Sequence, residues 1–309
     1  MFNRIIATIL LLFTLTAHAQ QKPIKIVIPF GIGGLVDNSN RRLQEALTQE
    51  LGRPVQIDPR PGAAGYIGLK HMASVKNDEV LITIIDAMAL SNVILLHDDV
   101  VLEDFKYVGQ IGTTTSVALA VKKGNPLKNL DAWRTQGRSI NVGINGIAGA
   151  HHYYNWLLES QTRIPMTLLP YKGVNEMLNN LLGGHIDAGW ANLPSLEVHA
   201  QAGKIDIVAV VHTQRAELMP DVPTFGELGI KVPGNAKWLL ISNDTTDLVT
   251  VEQVRQALVK LVNDPQFVQI MRTTGIIVEP KLVDQAKRSM TLSLQQQTKF
   301  IEFIKTQRK

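Results

Sequence analysis

The strongest constraint on this chain is a repeating order of β-branched run, glycine-rich turn and amphipathic helical stretch. Such alternation demands a layered α/β architecture and is incompatible with a helical bundle or a β-sandwich. The run "IKIVIPF" comes first. Over residues 38–51 the apolar positions Leu43, Ala46, Leu47 and Leu51 recur at helical spacing, and "PVQID" follows as the second strand. A helix after "GYIG" and a strand at "VLITII" complete three βα units before Met88. The middle of the chain repeats the order with "SINVGI", a helix over 150–159 and "MTLLPY". Next comes a helix with Val174, Met177, Leu178 and Leu181 on one face, stopped by Gly183-Gly184, and then the strands "HIDAGWAN" and "IDIVAVV". After "WLLIS" the pattern is mainly helical, with a break at Asp264-Pro265 and a long helix from about Val283.

Two α/β sets joined by "TTSVALAV" going out and "WLLIS" coming back predict two lobes with two crossing strands at the hinge. The expected division is 20–116 with 239–309 in one lobe and 117–238 in the other, the last helices rejoining the first lobe. A cleft between such lobes is the natural ligand site.

At the start of the chain, Arg4 precedes the apolar stretch Ile5 to Leu15, and Ala17-His18-Ala19 gives a small-x-small cleavage pattern. The stretch falls short of the roughly 20 residues that cross a bilayer, so residues 1–19 are expected to be a cleaved signal peptide, with a single-span anchor as the alternative. Cysteine is absent. That excludes a disulfide framework, a thiol nucleophile and thiolate metal sites, and a bacterial periplasm fits an exported chain of this kind. The formal net charge of +4 is spread without a basic block. It mildly favours anionic ligands, and no nucleic-acid partner is expected.

In open α/β sheets ligands bind beyond the carboxyl ends of the strands, which directs attention to the loops there. Three are rich in glycine: residues 31–34, "DPRPGAAGYIG" over 58–68, and "GINGIAGAHH" over 143–152. Glycine lets backbone N–H groups approach a ligand, and a helix N-terminus adds free donors with partial positive charge, so together they favour a carboxylate or phosphate oxygen. Tight turning alone is the competing reason for such glycines. Asp37 is either a helix cap or a ligand contact, and Arg60 either pairs with a carboxylate or faces solvent. A dinucleotide fingerprint would use Gly31, Gly33 and Asp58, but Val36 stands where the third glycine belongs. No Walker, G-x-S-x-G or H-E-x-x-H pattern occurs, so no cofactor, metal or catalytic residue is expected. His151 and His152 diverge by about 100° on a helix and cannot chelate one metal together.

The segments "PFGIGGLVD", "LGRPVQIDPRPGAAGYIG", "LLPYKGVNEMLNNLLGGHIDAGWANLPS" and "MPDVPTFGELG" together resemble, in order and spacing, the Bug family of extracytoplasmic solute-binding proteins. These are receptors of tripartite tricarboxylate transporters. The resemblance covers nearly the whole chain after residue 19, and it implies a two-lobed Venus-flytrap fold that closes on a small organic carboxylate and delivers it to membrane permease subunits.

By that resemblance a ligand carboxylate is held by backbone groups and water from the first two loops, here Phe30, Gly33, Gly34 and Asp37 with Ala63, Ala64 and Gly65. The second lobe would contribute Gly149, Ala150 and His152, with His152 rather than His151 in the cleft, and Trp190 and Ala191. Gly149 and Ala150 stand where hydroxyl residues are common, and Ala191 replaces a frequent aspartate. Without that acid an amino group lacks a counter-charge, so a di- or tricarboxylate or an aromatic acid is expected ahead of an amino acid. Trp190 and the pair Tyr153-Tyr154 would tolerate an aromatic or aliphatic acid, or would simply pack in the core. The expected protein is a periplasmic monomer that does no chemistry. The alternatives are an exported α/β hydrolase using His152 and Asp187, and a sensory partner of a membrane receptor.

Overall fold

The computed structural model describes residues 22–75, 79–114, 117–212, 214–216, 219–233 and 236–307, and the expected export signal lies outside them. In the first part of the chain β1 (Ile24–Ile28), α1 (Leu35–Leu51), β2 (Val55–Pro59), α2 (Tyr66–Ser74), β3 (Val80–Asp86), α3 (Ala87–Leu96) and β4 (Phe105–Thr114) follow one another. Then come β5 (Val117–Lys122), α4 (Leu130–Arg134), β6 (Ile140–Ile144), α5 (Ala150–Thr162), β7 (Met166–Pro170), α6 (Val174–Gly183), β8 (Ala188–Asn192), α7 (Leu193–Gln201) and β9 (Ile205–Val211). The chain ends with β10 (Lys237–Asn243), α8 (Leu248–Leu261), α9 (Pro265–Thr274), β11 (Ile276–Val278) and α10 (Ala286–Gln307).

Two separate sheets result, ordered β11-β4-β10-β3-β1-β2 and β7-β6-β8-β5-β9. Within the first, β1 runs parallel to β2 and β3, and β10 enters antiparallel between β3 and β4. The second repeats the plan: β6 is parallel to β7 and β8, and β5 enters antiparallel between β8 and β9. The chain leaves the first sheet after β4 and returns to it at β10.

Helices on both faces explain the composition of the central strands, because a strand covered twice reads as a nearly continuous apolar run. All seven residues of β3 are buried. Val80, Ile82 and Ile84 join one core with α1, α8 and α9, while Leu81 and Ile85 join another with α2 and α3. The same split divides β5: Val117, Leu119 and Val121 face one core, Ala118 and Ala120 the other. Asp264 accepts from the Gln266 N–H at 2.8 Å and Pro265 occupies the first turn of α9, the break expected at that dipeptide.

The carboxyl-terminal helices are expected to rejoin the first lobe, and the last of them reaches both lobes. Its first turns rejoin the first lobe through Ala286 and Met290, beside a hydrogen bond between the Ser91 and Ser293 hydroxyls at 2.9 Å. Its last turns bury Phe300, Ile301 and Ile304 in the core of the second sheet. At about 1.5 Å rise per residue the helix is long enough to serve both. The Phe300 ring centroid lies 5.2 Å from His152 and 5.3 Å from Tyr153, edge-on to both. Because Phe300 is fully buried, Phe300→Ala should cost about 3–5 kcal/mol, read as a lower urea midpoint by circular dichroism with the native spectrum retained.

Candidate ligand-binding site

The carboxyl ends of the parallel strands of both sheets meet across one cleft, and helix N-termini meet there with them. An inner chamber of about 80 Å³ is lined by Gly34, Leu35 and Val36 of α1, Gly149, Ala150 and His151 of α5, Gly173 and Val174 of α6, and Asn192 at the start of α7. None of these four helices has a side-chain cap at its N-cap residue. Uncapped N-termini present orphan N–H groups and about half a positive charge each, which adds to the positive charge of Lys172 in the lining. A helix that begins with glycine rather than Ser, Thr or Asp leaves those donors for a ligand.

The first sheet closes the chamber from below with Asp86, Thr114 and Trp238. Asp86 and Trp238 are neighbours across the β3–β10 ladder. Four buried polar atoms here have no partner among the described residues: Thr114 Oγ1, His151 Nδ1, Tyr154 Oη and Trp238 Nε1. Buried polar groups left unpaired each cost about 1–3 kcal/mol, so such a concentration marks a place where a polar ligand completes the bonding. Burial lowers His151 to about 4, which keeps its imidazole neutral at pH 7. Burial, and then the nearby charge of Asp86, push the Tyr154 hydroxyl up. Asp86 itself is raised to about 7 by burial, opposed by the Met88 N–H that it accepts at 3.0 Å as the cap of α3.

An outer chamber of about 820 Å³ opens beyond Phe30, Gly31, Asn145 and Lys172, which line both spaces. Its walls are the 61–65 loop, the 145–148 loop and Asn92 of α3. The lobes touch along this boundary. Asn92 Nδ2 donates to the Ala148 carbonyl at 2.7 Å. A Cβ built on Gly31 would stand 3.0 Å from the Lys172 carbonyl oxygen, and one on Gly33 3.0 Å from Asn175 Nδ2. The glycines of the first loop therefore serve close approach between lobes as well as donor access. Ala63, Ala64 and Ala148 hold positive φ of 47°, 52° and 63°, a region disfavoured for residues with a side chain, and all three line the outer chamber.

The residues expected from the sequence divide between these places. Phe30, Gly34, Gly149 and Ala150 line the inner chamber, and Ala63, Ala64 and Gly65 the outer one. Gly33 lines neither, because its N–H is spent on Asp37 Oδ2 at 2.9 Å. Asp37 is buried beneath the loop, ion-paired with Arg41 at 2.9 Å, and points away from the cleft. Arg60 turns back onto Asp58 at 3.0 Å. The placement expected for the two histidines is reversed. His151 lines the chamber, while His152, about 100° further round α5, accepts the Ala148 N–H at Nδ1 and packs against Phe300. Trp190 and Ala191 are also displaced from the expected site. Both faces of β8 are covered, so Trp190 stacks on Phe225 and donates to Asn155, and Ala191 packs with Val174 and Leu196. Their successor Asn192 is the residue that reaches the chamber.

Asp86, Thr114, Asn192 and Trp238 escaped sequence reasoning. Asp86 and Asn192 were findable, since each is the last residue of its strand, where the rule for open sheets places a ligand. Asp187 stands just before β8, held by a bidentate pair with Arg138 at 2.7 Å, so it makes no dyad with His152. Among the described residues no cluster of His, Asp and Glu suits a metal ion.

Two α/β lobes meeting at a cleft lined by helix N-termini define the periplasmic-binding-protein class. The chain belongs to the tripartite tricarboxylate transporter family of receptors, whose family model matches residues 39–307. It is 30% identical over 216 residues to Protein BugT of Bordetella pertussis, a match spanning 67% of this chain and 66% of BugT. A solved periplasmic transporter superposes with a TM-score of 0.83 at 23% identity, covering 92% of this chain and 97% of that one. MatC of Rhodopseudomonas palustris, solved with bound malate, gives a TM-score of 0.78 at 19% identity over 91% of this chain and 99% of its own. The protein is accordingly a solute-binding receptor and not an enzyme. Among the described residues no helix is long and apolar enough to cross a membrane.

The Gly31 contact makes a prediction about closure. Gly31→Ala places a methyl against the Lys172 carbonyl only when the lobes meet, so ligand affinity should fall about tenfold, some 1.4 kcal/mol, by calorimetry. The melting temperature of the ligand-free protein should stay within about 2 °C of wild type, since each lobe's own packing is untouched.

Proposed function

We propose that this receptor captures a small organic carboxylate in the inner chamber and passes it, as a monomer, to the permease subunits of a tripartite tricarboxylate transporter. The observation that carries the reading is the meeting of four uncapped helix N-termini, from both lobes, around one chamber. A carboxylate there accepts several backbone N–H bonds and lies at the positive end of every helix. The malate held by MatC is an acid of the proposed class, and a mature chain in the periplasm, freed of residues 1–19, is the form expected to do the work. The moving bodies in this proposal are residues 20–116 with 239–309 and residues 117–238. Closure follows because the ligand touches both and binds the closed state better than the open one.

A thermal-shift panel of mono-, di- and tricarboxylates tests the assignment. A cognate acid at about 100 times its dissociation constant should stabilise the protein by about 2.7 kcal/mol, seen as a rise of several degrees. Should no carboxylate in the panel move the transition, the reading is wrong.

A further inference from the structure

Asp86 does not fit a chamber built only for an anion. It is 6% exposed, and among the described residues its side chain has a single partner, the Met88 N–H at 3.0 Å. Among the described residues no lysine or arginine forms an ion pair with it. The groups that share its chamber are the imidazole of His151 and the hydroxyl of Tyr154 from α5, the hydroxyl of Thr114 from β4, the indole of Trp238 from β10, and the exposed Lys172 of the β7–α6 loop. A ligand carrying only carboxylate would bring a second negative charge into the same small space. Two carboxylates in one site repel unless a proton or a cation lies between them.

We propose that the ligand is a zwitterionic carboxylate, its carboxylate group held at the helix N-termini and a primary, secondary or quaternary ammonium nitrogen held against Asp86. The proposal rests on the carboxylate reading above and narrows it. Phe30, Tyr154 and Trp238 line the same chamber, and aromatic surface is favourable for a cation, more so when water is excluded. The ammonium supplies the partner that Asp86 lacks, and it cancels the charge that the ligand carboxylate adds. Sequence reasoning looked for this acid at position 191, found alanine and leaned away from amino acids. The fold buries position 191 between sheet and helices and brings an acid to the chamber from the other lobe, at the end of β3.

The proposal fixes the sign of a pH dependence. Burial holds Asp86 at about 7 in the ligand-free protein, and a bound cation favours its ionised form, so binding releases a proton below that point. Affinity for a zwitterion should therefore be level above about pH 7 and fall about tenfold for each unit below it. His151, lowered to about 4, and Tyr154, raised by burial, do not titrate between about pH 5.5 and 8.5.

The test is calorimetry with matched acids in which a methyl or tert-butyl group replaces the charged nitrogen. The pairs are glycine betaine with 3,3-dimethylbutanoate, 4-aminobutanoate with pentanoate, and L-glutamate with 2-methylglutarate. In at least one pair the nitrogen-bearing member should bind wild type about tenfold tighter or more, with the stated fall below pH 7. Asp86→Asn keeps the acceptor that caps α3, so the protein should fold, and the preference and its pH dependence should both vanish. If wild type binds a nitrogen-free acid as well as or better than its partner, the proposal is overturned while the carboxylate reading stands. An Asp86→Asn protein that keeps the wild-type preference overturns it too, and for a variant that fails to fold the wild-type pH profile decides alone. If no acid of either kind binds, the carboxylate reading itself has failed.

Discussion

Four helix N-termini share one chamber, and most of the structure follows from making that possible. Orphan N–H groups at a helix end are ordinarily satisfied by water or a capping side chain. Here α1 begins at Gly34, α5 at Gly149 and α6 at Gly173, residues without the oxygen that would cap them. While the lobes are apart, water covers each end. Bringing them together removes that water and sets like partial charges against one another, so closure is opposed until something negative enters. The ligand is then a structural element of the closed state as much as its cargo. The contact of Asn92 with the Ala148 carbonyl adds a single hydrogen bond to that balance.

The sheets deliver the helix ends by a shared device. Each lobe places parallel strands beside one strand that arrives antiparallel from the other, β10 in the first and β5 in the second. The crossings therefore lie in the middle of each sheet, where movement at the hinge is referred to the rigid layers rather than to loose edges. The last helix adds a second tie. Its early turns are anchored by Met290 on α3 and its late turns by Phe300 on α5, so the lobes can swing only as far as that helix can bend or slip over one of those contacts.

The fold was legible because it depends on properties that residue type reports directly. A strand such as "VLITII" has no polar position to expose, and the glycine that opens a helix announces a bare N-terminus. Phe30, Gly34, Gly149 and Ala150, named through the family resemblance, line the inner chamber. What the sequence concealed was facing. His151 and His152 are identical residues on adjacent positions, and only the arrival of Phe300 from far along the chain turns the second toward the core and leaves the first to the cleft. Trp190 and Ala191 lie in a strand covered on both sides, so neither alternate residue is free, and the site begins one residue later. Asp37 had two plausible uses, and the loop geometry chose the one that satisfies Gly33.

An acid in an electropositive chamber looks contradictory until selectivity is considered. Helix ends bind any small anion that fits, because they recognise charge and a few acceptor oxygens. A periplasmic receptor surrounded by chloride, phosphate and simple acids needs something to refuse them, and discrimination comes as often from a built-in penalty as from an added attraction. Asp86 supplies such a penalty, and the cost of burying its charge is offset in part because it also caps α3. Burial sharpens the effect: the same low dielectric that raises Asp86 to about 7 makes its repulsion of an unaccompanied anion larger than it would be in water. Only a solute that carries its own positive charge turns the penalty into a bond, so the residue that excludes most anions is also the one that would recognise the right one.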